Sequence, residues 1–141
     1  MRRSDLGVTF ITVLMILAAV AGVFWCCTFA EAYWENFEVT RVLHEAANLS
    51  YREGDDEKVK DFIFKELHHL FDEKVDDHGR MITEMRIDID RGDVRIERTE
   101  IPHFVHIWVT YSRDVAVPLL NQQRRVTFND YAEQDLSPVK W

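Results

Sequence analysis

The sequence predicts an α+β fold carried on a membrane helix. Three observations lead there: an uncharged run from Leu6 to Ala30, apolar residues at helical spacing between Val39 and Phe71, and an apolar period of two after Gly79. The expected chain has an N-terminal transmembrane helix continuing into a stem helix. An amphipathic helix then packs on a small, mostly antiparallel sheet of three or four strands. In domain terms, residues 1–30 form a cytoplasmic N-terminus with the transmembrane helix, and residues 31–141 form an extracytoplasmic domain.

The first element is "GVTFITVLMILAAVAGVFWCCTFA", Gly7 to Ala30. As a helix it rises about 36 Å, more than a hydrocarbon core of about 30 Å needs. Arg2 and Arg3 precede it, and Glu31, Glu35 and Glu38 follow. The positive-inside rule places the N-terminus in the cytoplasm and the domain across the membrane. Trp25, Tyr33 and Trp34 fall where interfacial aromatic rings are favoured. A cleaved signal peptide is the competing reading, with Ala30-Glu31-Ala32 as a small-x-small site, but the run exceeds an ordinary h-region. A lipoprotein signal fits worse, because Phe24 and Trp25 are bulky neighbours of Cys26. Cys26 and Cys27 are adjacent inside the run and cannot staple the domain, so a core must hold it.

Val39, Val42, Leu43, Ala46 and Leu49 extend the helix outward as a stem. Gly54 suits a turn, and Asp55 or Asp56 caps the next helix. Val59, Phe62, Ile63, Leu67, Leu70 and Phe71 make one apolar stripe on that helix. After His78-Gly79, Met85, Ile87 and Ile89 alternate with charged residues, "RGD" makes a turn, and Val94 and Ile96 alternate again. These read as a hairpin. A longer strand starts near Phe104 and ends at Pro118. "NQQ" turns into a last strand from Arg125 to Tyr131, and "DLSPVKW" lies along the surface.

Two resemblances attach to these residues. "MRRSDLGVTFITVLMILA" resembles a type IV prepilin: a short basic leader, a glycine, then a long apolar helix. That likeness implies cleavage after Gly7 and a glutamate at the fifth mature position, where this chain has Thr12. The departure favours a chain that keeps Met1 to Gly7. "GVTFITVLMILA", a stem, an amphipathic helix and "VTYSRDVAVPLLN" together resemble a family of small bacterial membrane proteins of unknown function with a pilin-like N-terminus. This second resemblance implies a bacterial inner-membrane protein with a periplasmic domain, and it brings no activity and no catalytic residues.

Candidate chemistry is sparse. The net charge of −8 offers no electrostatic footprint for nucleic acid. His68 and His69 are adjacent on a helix and diverge by about 100°, while His103 and His106 are three apart on a strand. Neither pair chelates. "DIDRGD" lacks the ligand pattern of a calcium loop, with Gly92 at the fifth position and Thr99 at the twelfth. "NLS" at Asn48–Ser50 matches a glycosylation acceptor that the bacterial reading leaves idle. No phosphate loop or GxSxG is present. The expectation is therefore no catalytic residue, no cofactor and no metal. Ala18 and Gly22 form a small-xxx-small pair suited to packing against another membrane helix. Trp34, Phe37 and Trp141 are candidate partner anchors.

The expected role is a non-catalytic accessory or scaffolding subunit of a larger integral membrane complex. Its expected contacts are that complex and the lipid bilayer, with no nucleic acid and no small-molecule substrate. A minor pilin or pseudopilin assembling through the same helix is the alternative.

Overall fold

The computed structural model describes residues 3–138, with side chains from Thr9 onward. The roles expected of Arg2, Arg3 and Trp141 lie outside the described side chains. Helix α1 runs unbroken from Arg3 to Leu49. It contains no proline, and Gly22 is its only glycine beyond Gly7, so nothing forces a kink. From Thr9 it is the one described helix long and apolar enough to cross a membrane. It does not pause at Ala30. Its character changes instead: side chains from Thr9 to Val23 are all exposed, whereas Val39, Val42, Leu43, Ala46 and Ala47 are fully buried.

The stem ends where Ser50, Arg52 and Glu53 amides fold back on the carbonyls of Ala46 and Leu49. Arg98 locks this corner. Its guanidinium donates to the carbonyls of Ser50 and Glu53 and to the Asp56 carboxylate. Helix α2, Asp56–Phe71, then returns along α1, with Asp55 as its cap accepting from the Glu57 amide. Its buried line is Val59, Ile63, Leu67 and Phe71, and Phe62 and Leu70 flank it half-covered.

Strands β1 (Asp72–Asp77) and β2 (Arg80–Met85) form a separate two-stranded sheet around His78-Gly79. The main sheet has the order β3-β4-β5, all antiparallel, with β3 at Val94–Thr99, β4 at Phe104–Val117 and β5 at Gln122–Asp135. β4 is the centre. Val105, Ile107, Val109, Tyr111, Val115 and Val117 point from one face and are buried, as a half-buried strand requires. The domain is thus two helices on one face of a small antiparallel sheet, the α+β arrangement expected.

The hairpin expected across "RGD" does not form. Arg91–Asp93 make a single 3-10 turn, with Arg91 ion-paired to Asp61 of α2. The reason lies in the edge of β4. β3 occupies it from Phe104 to Val109, and Asp88 pairs with Ser112 further along, through both backbone hydrogen bonds (2.7 and 3.0 Å). The segments before and after the turn lie in line on one edge. They cannot also lie side by side.

Candidate functional site: the stem–sheet junction

The polar centre of the molecule sits where the stem leaves the apolar run. Glu35 of α1 is 5% exposed, although a carboxylate is rarely buried alone. Arg113 of β4 meets it with a charge-assisted hydrogen bond and also reaches Glu31 at 3.4 Å. Arg86, just past β2, adds contacts at 3.3 Å to both Glu31 and Glu35, and one at 3.8 Å to Glu73. Burial pushes the Glu35 carboxyl above its ordinary range while the two arginines pull it down. At the next helix residue, the Tyr111 hydroxyl donates to Asn36 Oδ1 at 2.9 Å, and burial pushes that phenol up. Thr40 donates to Asp130 Oδ1 at 3.4 Å. Asp130 Oδ2 is buried without a hydrogen-bond partner, and desolvation raises this carboxyl too.

This cluster ties α1 to the sheet. Two arginines, Arg86 and Arg113, bridge three glutamates, Glu31 and Glu35 of α1 and Glu73 of β1, across the helix–sheet contact. An adjoining open groove of about 410 Å³ is lined by Glu73, Glu84, Arg86, Asp88, Asp114 and Arg125 among others. There Arg125 is engaged by Asp88 at 3.0 Å and by Asp114 at 3.3 Å. No group of three or more metal-ligating side chains occurs among the described residues.

Two aromatic surfaces accompany the junction. Trp34 and Phe37 pair at 6.3 Å on the stem, both about two-thirds exposed. On the outer face of the sheet, Phe104 stacks on His106 of β4, His106 and Trp108 meet Tyr131 of β5, and the Arg95 guanidinium lies 5.3 Å from the Trp108 ring centroid. His106 is hydrogen-bonded to the Tyr131 hydroxyl at 2.7 Å, and that hydroxyl donates to Glu133 at 2.6 Å. This ladder was missed in the sequence. Its signal is the alternate residues Phe104, His106 and Trp108, masked by the stronger apolar period of Val105, Ile107 and Val109.

The sequence candidates are scattered. Ala18 and Gly22 lie one turn apart on the exposed apolar part of α1, with open space around Gly22. His68 is held by Asp72 at 2.9 Å, His69 is exposed beside it, and His103 lies in the turn before β4. Of the "NLS" triplet, Asn48 is exposed in the last turn of α1 and Ser50 is buried. No protein-family model, no curated protein and no solved structure matches the chain.

Proposed function

We propose that this protein is a non-catalytic, single-pass accessory or scaffolding subunit of a larger bacterial membrane complex. Its N-terminus lies in the cytoplasm and its domain in the periplasm. One observation carries the reading: the helix that enters the bilayer is also the spine of the domain. A domain on a flexible tether samples many orientations, which suits an enzyme or a ligand trap. Here Val39, Val42, Leu43, Ala46 and Ala47 are core residues of the domain and Glu35 is clamped by Arg113, which ties the span to the domain without a linker. Such a piece fixes an angle and a height above the membrane, which is what a scaffold supplies. Trp34 and Phe37 give it an exposed anchor close to the bilayer.

A minor pilin or pseudopilin would use the same continuous helix, and that continuity is what favours this second reading. Thr12 stands where the prepilin likeness implies a glutamate. Gentle detergent extraction followed by native mass measurement separates the two. The scaffold reading expects one hetero-complex of fixed, low copy number. Ala18→Leu with Gly22→Leu should release the protein from it while membrane insertion persists. Recovery as long homopolymers would favour the pilin, and a free monomer would defeat the scaffold.

A further inference from the structure

We propose that the tip of the β4–β5 hairpin is a second membrane contact. On this proposal, Leu119 and Leu120 rest at the hydrocarbon edge of the leaflet facing the domain. The proposal rests on α1 spanning the bilayer.

The direction of the hairpin is fixed by its contacts with α1. Asp130 meets Thr40, Phe128 stacks edge-on against Tyr33 at 5.7 Å, and Val126 shares a groove with Trp25, Cys26, Phe29, Ala30 and Tyr33. Moving back along β5 therefore means moving down α1 toward the apolar run. The rates agree: four strand residues cover about 13 Å, and the eleven helix residues from Thr40 to Phe29 about 16 Å. The strand thus follows the helix axis closely. From Val126 the chain continues to the turn at Asn121, about 16 Å further. Even with an oblique crossing of about 45°, the tip reaches the level of Gly22, inside the uncharged run.

The hairpin does not lift away on the way down. Tyr111 and Arg113 use the α1-facing side of β4, and Val115 and Val117 on that same side are 7% and 4% exposed. Phe24, Thr28 and Phe29 are partly covered, unlike the helix residues before them. Beyond Val117 the chain presents Leu119 at 76% and Leu120 at 62% exposure. Two adjacent exposed leucines in a turn are costly in water and favourable in a bilayer interface.

The residues behind the tip set its depth. Gln122, Gln123 and Arg124 are exposed, and Arg124 has no ion pair among the described residues. Irregular backbone is not tolerated deep in hydrocarbon, so the leucines enter only the edge. The Arg124 backbone then lies between the levels of Phe29 and Gly22, and its long side chain extends outward to the lipid phosphates, which suit a guanidinium. The groove of about 510 Å³ between Val126 and the helix is mostly apolar and opens at the same level, as a surface bathed in lipid requires.

The test uses the full chain with Cys26 and Cys27 replaced by alanine. It is reconstituted in vesicles of phosphatidylethanolamine and phosphatidylglycerol. An environment-sensitive dye is attached in turn through Leu119→Cys, Ile101→Cys and Leu17→Cys. Ile101 is 95% exposed in the turn at the opposite end of β4, and Leu17 lies in the span. The expected result is blue-shifted emission from the dye at position 119, quenched by lipids bearing a headgroup-level nitroxide. At position 101 the dye should stay unshifted and be quenched only by aqueous iodide. Iodide quenching without lipid quenching at position 119 overturns the hairpin contact, provided the dye at position 17 is quenched by lipid. A dye at position 17 that lipid does not reach overturns the span itself. A blue shift at position 119 that vanishes on dilution into excess lipid overturns the proposal in favour of contact between copies.

Discussion

The β4–β5 and β1–β2 hairpins are both antiparallel pairs joined by short turns, yet β4 buries every second residue along most of its length and β1 buries none. β5 closes its strand partner over fourteen rungs, and α1 covers the inner face. In β1–β2, Glu73 stands opposite Glu84, which is unfavourable, and the Val75–Ile82 pair remains partly exposed. The lone short hairpin has no sheet and no helix to complete its core. Two-stranded ribbons of this kind are marginal in water. The comparison separates what pairing provides, which is local geometry, from what burial provides, which is stability.

The largest expected effect breaks the comparison if it fails. Ile107 is fully buried on β4, and Ile107→Ala should cost about 2–5 kcal/mol in denaturant unfolding of the full chain in detergent. Ile82→Ala in β2 should stay within about 0.5 kcal/mol. Equal losses at the two sites would mean that β1–β2 is part of the core after all.

The same contrast explains what was legible in the sequence. The stem, α2 and β4 could be read because each buries one side, and one-sided burial imposes a period on the apolar residues. Asp55, Gly54 and Pro118 marked their ends by local chemistry. β1 could not be read, because "DEKVDD" has one apolar residue and no alternation. It forms because His78 and Gly79 take positive φ, 50° and 83°, which turns the chain tightly. The segment Met85–Ile96 alternated convincingly and still did not fold on itself, since alternation reports a face and says nothing about the partner. The junction was invisible for another reason. Glu35 and Arg113 are 78 residues apart, and their pairing follows from where β4 crosses α1.

A smaller effect probes the polar contact between β5 and α1. Desolvation raises the pKa of the Asp130 carboxyl above its ordinary value of 3.8, against hydrogen bonds from Asn36 and Thr40. Between that value and the raised one, the folded chain holds a proton the unfolded chain has lost. Stability therefore falls as pH rises through this window, and the penalty is full above it. Asp130→Asn keeps the acceptor for Thr40 and removes the ionisation. At pH 8 it should be more stable than the parent by about 1 kcal/mol or less, the scale of one buried polar group. The gap should close as pH falls below about 4. An unfolding gap that is constant in pH would show that Asp130 ionises as easily in the fold as outside it.

The smallest effect on the whole molecule comes from the turn of the weaker hairpin. Gly79 has φ of 83°, and a Cβ placed there meets nothing within 4 Å, so Gly79→Ala costs backbone strain and no clash. That strain is about 1–2 kcal/mol for a residue held in the left-handed region. β1–β2 has little burial of its own to hold the turn against it. The pairing of Asp72–Asp77 with Arg80–Met85 should therefore loosen locally while the rest of the chain stays folded. Hydrogen exchange should show faster amides in β1 and β2 and unchanged protection in β4 and β5. The global unfolding midpoint should move by less than the equivalent of about 0.5 kcal/mol. Arg86, which follows β2, should keep its contacts with Glu31 and Glu35, because its amide is bonded separately to the Phe71 carbonyl at 3.0 Å. Faster exchange spreading into Ser112 and its neighbours on β4 would instead couple the two hairpins through the Asp88–Ser112 bridge, and the division between geometry and stability would have to be redrawn there.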